Sequence, residues 1–150
     1  MKKILNNPVL SLLARIIVGS VFIYAAIGKI ADPAFFAKEI ANYRMLPEFT
    51  LNIIALSMPW MELVVAVFLI AGIRLKANAV ISGLLLAVFI FAVLSAMARG
   101  LNISCGCFSH KIVFVGWKKI LENTGLLIAC VYIFVYPVAT LTVEHLARNE

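Results

Sequence analysis

The chain has 150 residues, about the length of one domain, and 64% of them are hydrophobic against 13% charged, with a mean hydropathy of +1.07. Too few polar side chains are present to cover a water-facing surface, which argues against a soluble domain and rules out a disordered chain. The net charge of +6 comes from 13 Lys and Arg residues scattered along the sequence, which excludes a basic nucleic-acid binder.

Apolar runs divide the chain into four predicted membrane spans at about 8–30, 51–73, 77–98 and 117–142. Each is long enough to cross a hydrocarbon core of roughly 30 Å at 1.5 Å per helical residue. The fold class predicted is all-α: a single domain formed by an integral membrane four-helix bundle. The first run follows Lys2 and Lys3 and ends at Asp32-Pro33. Arg15 interrupts it and no small-residue cleavage site follows, so it reads as a span and not as a cleaved leader. Within it, Arg15, Gly19, Phe22, Ala26 and Lys29 share one helix face, expected to point inward.

Residues 33–47 alternate apolar, charged and aromatic positions, which predicts a short amphipathic helix lying in the membrane interface. Tyr43 and Arg44 in this loop, together with Trp60 in the second span, are candidates to close over a flat ring cofactor. Glu62 lies near the middle of that span, one turn after Pro59. A lone carboxylate in lipid is strongly disfavoured, so Glu62 needs a cation or a proton. It either pairs with Arg15 or Lys29 to fix helix packing, or serves as a proton-accepting or ligand-binding group. Glu122 and Asn123, early in the fourth span, supply further polar groups near the same surface.

The loop between the third and fourth spans contains Cys105-Gly106-Cys107, followed by His110 and Lys111. Two thiols separated by one flexible Gly can close into a small disulfide ring. Such a ring constrains almost no chain entropy, which weakens the case for a stabilising staple, whereas strained or exposed disulfides exchange readily. A protonated His110 beside the pair would raise its thiolate fraction. The other openings for the pair are a soft-metal site and an inert one. Cys130 lies deep in the fourth span and reads as a small buried hydrophobe, leaving one redox-capable dithiol. Its electrons must pass directly to a partner thiol or to a non-protein acceptor.

Basic residues are nearly balanced across the two sides. Lys2 and Lys3 ahead of the first helix favour cytoplasmic termini, placing the Cys-Gly-Cys loop outside.

Taken together, Gly28-Lys29, Asp32-Pro33, Tyr43, Leu46-Pro47, Pro59, Glu62-Leu63, Cys105-Gly106-Cys107-Phe108 and Glu122-Asn123 make the chain resemble the MauE branch of the DoxX-like membrane proteins over nearly its whole length. The resemblance implies a redox-associated bundle in the bacterial inner membrane with its cysteine loop facing the periplasm or cell exterior. It also implies roles in disulfide formation and protein maturation, and, by way of other relatives, in quinone-linked oxidation.

The expected function is therefore a membrane thiol-disulfide oxidoreductase with Cys105 and Cys107 as its redox pair. Lys29, Glu62, Arg15, Glu122, Asn123 and His110 would tune its thiolate and proton chemistry. The expected partner is an extracytoplasmic thioredoxin-like protein, the candidate cofactor is quinone, and no metal is expected. Two alternatives are a soft-metal-binding membrane protein and a noncatalytic maturation scaffold.

Overall fold

The computed structural model describes residues 7–100 and 117–137. The described chain is all-α. Its helices are α1 (Pro8–Ala31), α2 (Pro33–Asn42), α3 (Glu48–Ala71), α4 (Leu75–Ala98) and α5 (Trp117–Val135).

Local sequence chemistry sets most of the helix ends. The Asn7 side chain accepts from the Val9 N–H at 3.0 Å ahead of Pro8 at the first helical position, where the missing proline N–H costs nothing. Asp32 repeats the device for α2, accepting from the Phe35 N–H at 2.9 Å ahead of Pro33. α2 stops at Asn42 and not near Pro47 as the sequence pattern suggests, because Arg44 takes a left-handed φ of 49° that no helix continues through. α3 closes on Gly72, whose φ of 79° suits a residue without Cβ, and the Ile73 N–H reaches back to the Phe68 carbonyl at 2.9 Å. The Asn78 amide then donates to the Ile73 carbonyl at 2.7 Å and ties the short α3–α4 turn.

α1, α3 and α4 are each long and apolar enough to cross a membrane. The first three predicted spans thus fall on helices whose limits differ from expectation by at most three residues. α5 carries Lys118, Lys119 and Glu122 in its first two turns and continues as an apolar helix to Val135. The predicted end of the fourth span at 142 lies outside the described residues.

α1 packs chiefly on α3 and α4 on α5, while α3–α4 and α1–α5 contacts close the bundle. α2 lies against α3 and the end of α1. The distribution of polarity is that of a protein solvated by lipid. Ile17, Ile53, Leu84, Val88, Phe91 and Ile128 face outward, whereas Ser11, Arg15, Lys29, Glu62, Asn78, Ser82 and Asn123 are buried.

The face predicted on α1 is the one turned inward: Arg15, Gly19, Phe22, Ala26 and Lys29 are all buried. Gly19 lets α1 approach α3 closely. A Cβ there would collide with Ile70 Cγ1, lie 2.7 Å from Ile70 Cδ1 and come within 3.2 Å of the Ala66 carbonyl oxygen. Small residues at such crossings are how membrane helices gain packing without a hydrophobic driving force. Gly19→Leu is accordingly expected to lower stability by about 1–3 kcal/mol or more, read as an earlier unfolding midpoint in detergent. An unshifted midpoint would contradict this packing.

Arg15 is fully enclosed and serves the same helix pair. Its Nε donates to the Leu69 carbonyl at 3.0 Å and its Nη2 to the Ile70 carbonyl at 2.7 Å, so it supplies donors to the last turn of α3. The Leu69 carbonyl also accepts from the Gly72 N–H at 3.3 Å, and both carbonyls sit at the negative end of the helix dipole. Replacing Arg15 by Met should destabilise the protein by about 2–3 kcal/mol through loss of charge-assisted bonds, measured by the same unfolding assay. A Met variant as stable as the parent would show that the cap is dispensable.

Candidate functional site

At the opposite end of α1 the bundle holds a second buried cation. Lys29 stands in the last turn of α1, and its Nζ donates to Glu62 Oε1 at 2.7 Å and Oε2 at 2.8 Å. Both side chains are at least nine-tenths enclosed. Of the two cations the sequence offers to Glu62, the structure selects Lys29; Arg15 is committed to the far end of α3. The ammonium also lies 5.0 Å from the centroid of the Phe36 ring on α2, a cation–π contact that joins the short helix to the ion pair.

Pro59 precedes Glu62 by one turn inside α3. Its missing N–H removes one rung of the helix at this level, a break tolerated where neighbouring helices pack around it.

Two cavities meet at Lys29. The first, about 320 Å³, opens between α1, α3, α4 and α5. Its walls are apolar, from Phe22, Leu86, Phe89 and Leu126 among others, and its polar groups are Lys29, Glu62, Lys119, Glu122 and Asn123. Lys119 is buried and pairs with Glu122 at 2.7 Å across one helical turn. Asn123 is nine-tenths buried, and its Nδ2 has no hydrogen-bond partner among the described residues. The second cavity, about 360 Å³, lies under α2 and shares Lys29, Met58 and Phe89 with the first. Glu39, Tyr43, Leu46 and Phe91 also line it.

Of the site residues read from sequence, Lys29, Glu62, Glu122 and Asn123 converge on the first cavity. Tyr43 is buried in the second. Arg44 borders a separate groove with Lys38 and Glu48, and Trp60 is 54% exposed and lines neither cavity, so Tyr43, Arg44 and Trp60 are not brought together around one ring. Cys130 is a free thiol at 1% exposure inside the core cluster, where it packs toward Gly83. Cys105, Cys107 and His110 lie outside the described residues.

The two described ends of the segment that carries them are informative. At the end of α4, Arg99 Nη2 donates to the Tyr43 carbonyl at 2.6 Å, fastening α4 to the end of α2. At the other end, Trp117 opens α5, two residues before Lys119. The described residues on either side of 101–116 are therefore the end of α4, bonded to the end of α2, and the start of α5, which carries the polar cluster.

Sequence reading missed Lys119 and Phe36 as parts of this site. Lys119 had a signal in its spacing of three from Glu122, which places both on one helix face. Phe36 had only its position on the predicted amphipathic helix. The Arg99 bond to the Tyr43 backbone, across 56 residues of sequence, left no mark in either segment.

Outward-facing apolar helices packed around a buried ion pair and other enclosed polar groups define a multi-pass integral membrane protein. Comparison with known proteins gives it a family: the chain belongs to the MauE family, whose model, described as methylamine utilisation protein MauE, matches residues 7–136. Relatives named methylamine utilization protein MauE are 30% identical over 141 residues in Methylophilus methylotrophus, covering 91% of this chain and 74% of the relative. Those from Paracoccus denitrificans and Methylorubrum extorquens are 32% and 31% identical over 128 residues, each covering 84% of this chain and 69% of the relative. No solved structure matches the chain.

Proposed function

We propose that the protein is a membrane thiol-disulfide oxidoreductase in which Cys105 and Cys107 cycle between dithiol and disulfide. The reading is supported by the Cys105-Gly106-Cys107 motif in the sequence between α4 and α5, helices whose described ends carry the Arg99–Tyr43 bond and the polar wall of the first cavity. The relatives are named for methylamine utilisation, and this reading assigns the chain to the same process. The proposed setting is the bacterial inner membrane with cytoplasmic termini, an extracytoplasmic cysteine segment and an extracytoplasmic thioredoxin-like or substrate protein as partner.

In the oxidising direction, a thiolate of the partner attacks one sulfur of the Cys105–Cys107 disulfide. The mixed disulfide that forms is resolved by the partner's second thiol, leaving a partner disulfide and the Cys105/Cys107 dithiol. A neighbouring His110 would favour thiolate at the reactive sulfur. Restoring the disulfide then requires the removal of two electrons and two protons. Cys130 is sealed in the core, so no second thiol pair is available within the chain. The proposed acceptor is a quinone, which supplies two-electron, two-proton chemistry inside the bilayer. Lys29 and Glu62 hold an exchangeable proton on the side of the bundle to which the cysteine segment is attached.

The test is stoichiometric. Purified, oxidised protein is mixed with a reduced thioredoxin-fold dithiol protein, and both thiol states are read by mass-shift alkylation. One partner disulfide gained per Cys105–Cys107 disulfide lost is the expected result, and a partner that stays reduced beside an intact Cys105–Cys107 disulfide would overturn the proposal.

A further inference from the structure

The cavity between α1, α3, α4 and α5 has a composition that selects its occupant. Its charges are already matched: Lys29 holds Glu62 with two short bonds, and Lys119 holds Glu122. A matched cavity offers no net attraction to an anion or cation, so it favours a neutral molecule. The remaining walls are hydrocarbon, contributed by Val21, Phe22, Leu85, Leu86, Phe89 and Leu126. One group in this lining asks for a partner. Among the described residues the buried Nδ2 of Asn123 has no acceptor, and an unmet donor away from water is strongly disfavoured. An occupant that relieves it must present an oxygen acceptor at the polar end and an apolar body toward the helices.

We infer that this cavity is the binding site of a neutral, lipid-soluble carbonyl compound of the quinone class, oriented by a hydrogen bond from Asn123 Nδ2 to a ring oxygen and set beside the Lys29–Glu62 pair. The inference rests on the proposed redox cycle for the identity of the ligand, but its geometry stands on the cavity alone. The volume of about 320 Å³ is at the lower end of the range for small-molecule sites and accommodates a ring with the start of a tail. Among the described residues Lys29 is the one ammonium that lines both this cavity and the one beneath α2, so it is placed to give a proton to a ring oxygen as electrons arrive. Asn123 acts by binding and orienting, Lys29 by proton delivery, and Glu62 by holding Lys29 in place.

The experiment measures binding of radiolabelled decylubiquinone to the purified full chain in detergent, with decanoate and a short-chain phosphatidylglycerol as competitors. Asn123→Leu keeps the side-chain size but removes the donor and is expected to weaken binding about tenfold, the scale of one buried hydrogen bond. Asn123→Gln should restore part of the loss, and the outward-facing Leu121→Ala should bind as the parent does. Unlabelled quinone should displace the label, while decanoate and the phospholipid should not.

Binding that is unaffected by Asn123→Leu, or equal displacement by decanoate or phospholipid, would overturn the inference and mark the cavity as a lipid site. Because the thiol-exchange assay contains no quinone, the two readings fail separately. Exchange without Asn123-dependent binding retains the oxidoreductase and rejects this site; Asn123-dependent binding without exchange does the reverse.

Discussion

Replacement of Cys105 or Cys107 by Ser reduces disulfide exchange with a dithiol partner to background, a loss of about a thousandfold or more, as expected when a nucleophile is removed. The cause is elementary. A disulfide needs two sulfurs, and a serine hydroxyl is neither appreciably ionised near neutral pH nor able to form an S–S bond. The two single variants differ in a way that assigns roles. Offered an oxidised partner, the variant that retains the attacking sulfur opens the partner disulfide and is held as a mixed disulfide, because the second cysteine of the pair that would release reduced partner is gone, and the other variant is not. Non-reducing gels of each variant with an oxidised thioredoxin-fold protein make the comparison. Full activity in the Cys105→Ser/Cys107→Ser protein would reject the redox mechanism and favour a noncatalytic maturation scaffold.

The second large effect concerns the Lys29–Glu62 pair. Breaking a buried ion pair by removing one partner leaves an uncompensated charge, at a cost of about 3–5 kcal/mol. Lys29→Met and Glu62→Leu should each unfold far earlier than the parent, and Lys29→Met should also lose its cation–π contact with Phe36. The double variant removes both charges together and is expected to recover most of the lost stability, since well-packed apolar groups often replace a buried pair at little cost. Thermodynamic additivity of the two single effects would contradict the direct contact of 2.7 Å. Recovery of the fold also isolates function. With stability restored, reoxidation of the cysteine pair by quinone should remain slow because the exchangeable proton is missing, whereas exchange with the partner protein should proceed.

Much of the bundle is legible in the sequence because lipid imposes a simple rule: helices long enough to cross must be apolar outside and may place polar groups only where neighbours satisfy them. Offsets of three and four residues from Arg15 to Lys29 were enough to identify the buried face of α1. The need of Glu62 for a cation was equally plain, but its choice of Lys29 over Arg15 was not, because both stand on that face. The difference lies in how far along α1 each meets α3: Arg15 reaches the carbonyls of Leu69 and Ile70 in the last turn of α3, and Lys29 arrives opposite Glu62. That vertical registry is set by helix packing, including the close approach at Gly19, and not by the periodicity of either helix.

The short helix α2 illustrates a different limit. Its amphipathic pattern runs on past Asn42, but the left-handed Arg44 ends the helix earlier, and a non-glycine residue gives little warning of that conformation. Trp60 and Tyr43 likewise suggested one aromatic lid, yet a Trp in a span can face lipid as readily as a cavity, and it is the outward position that it takes here.

The most direct test of the central claim is the redox titration of Cys105 and Cys107 in the purified protein. Samples are equilibrated in glutathione buffers of defined potential, with and without decylubiquinone, then denatured and alkylated. The chain has three cysteines, so the reduced form carries three labels and the oxidised form one, with Cys130 as the constant internal count. The predicted result is a reversible two-electron transition, about 30 mV per tenfold change in ratio, displaced toward the disulfide when quinone is present. Thiols that never oxidise, a disulfide that never reduces, or a transition indifferent to quinone would contradict a redox centre coupled to a membrane acceptor.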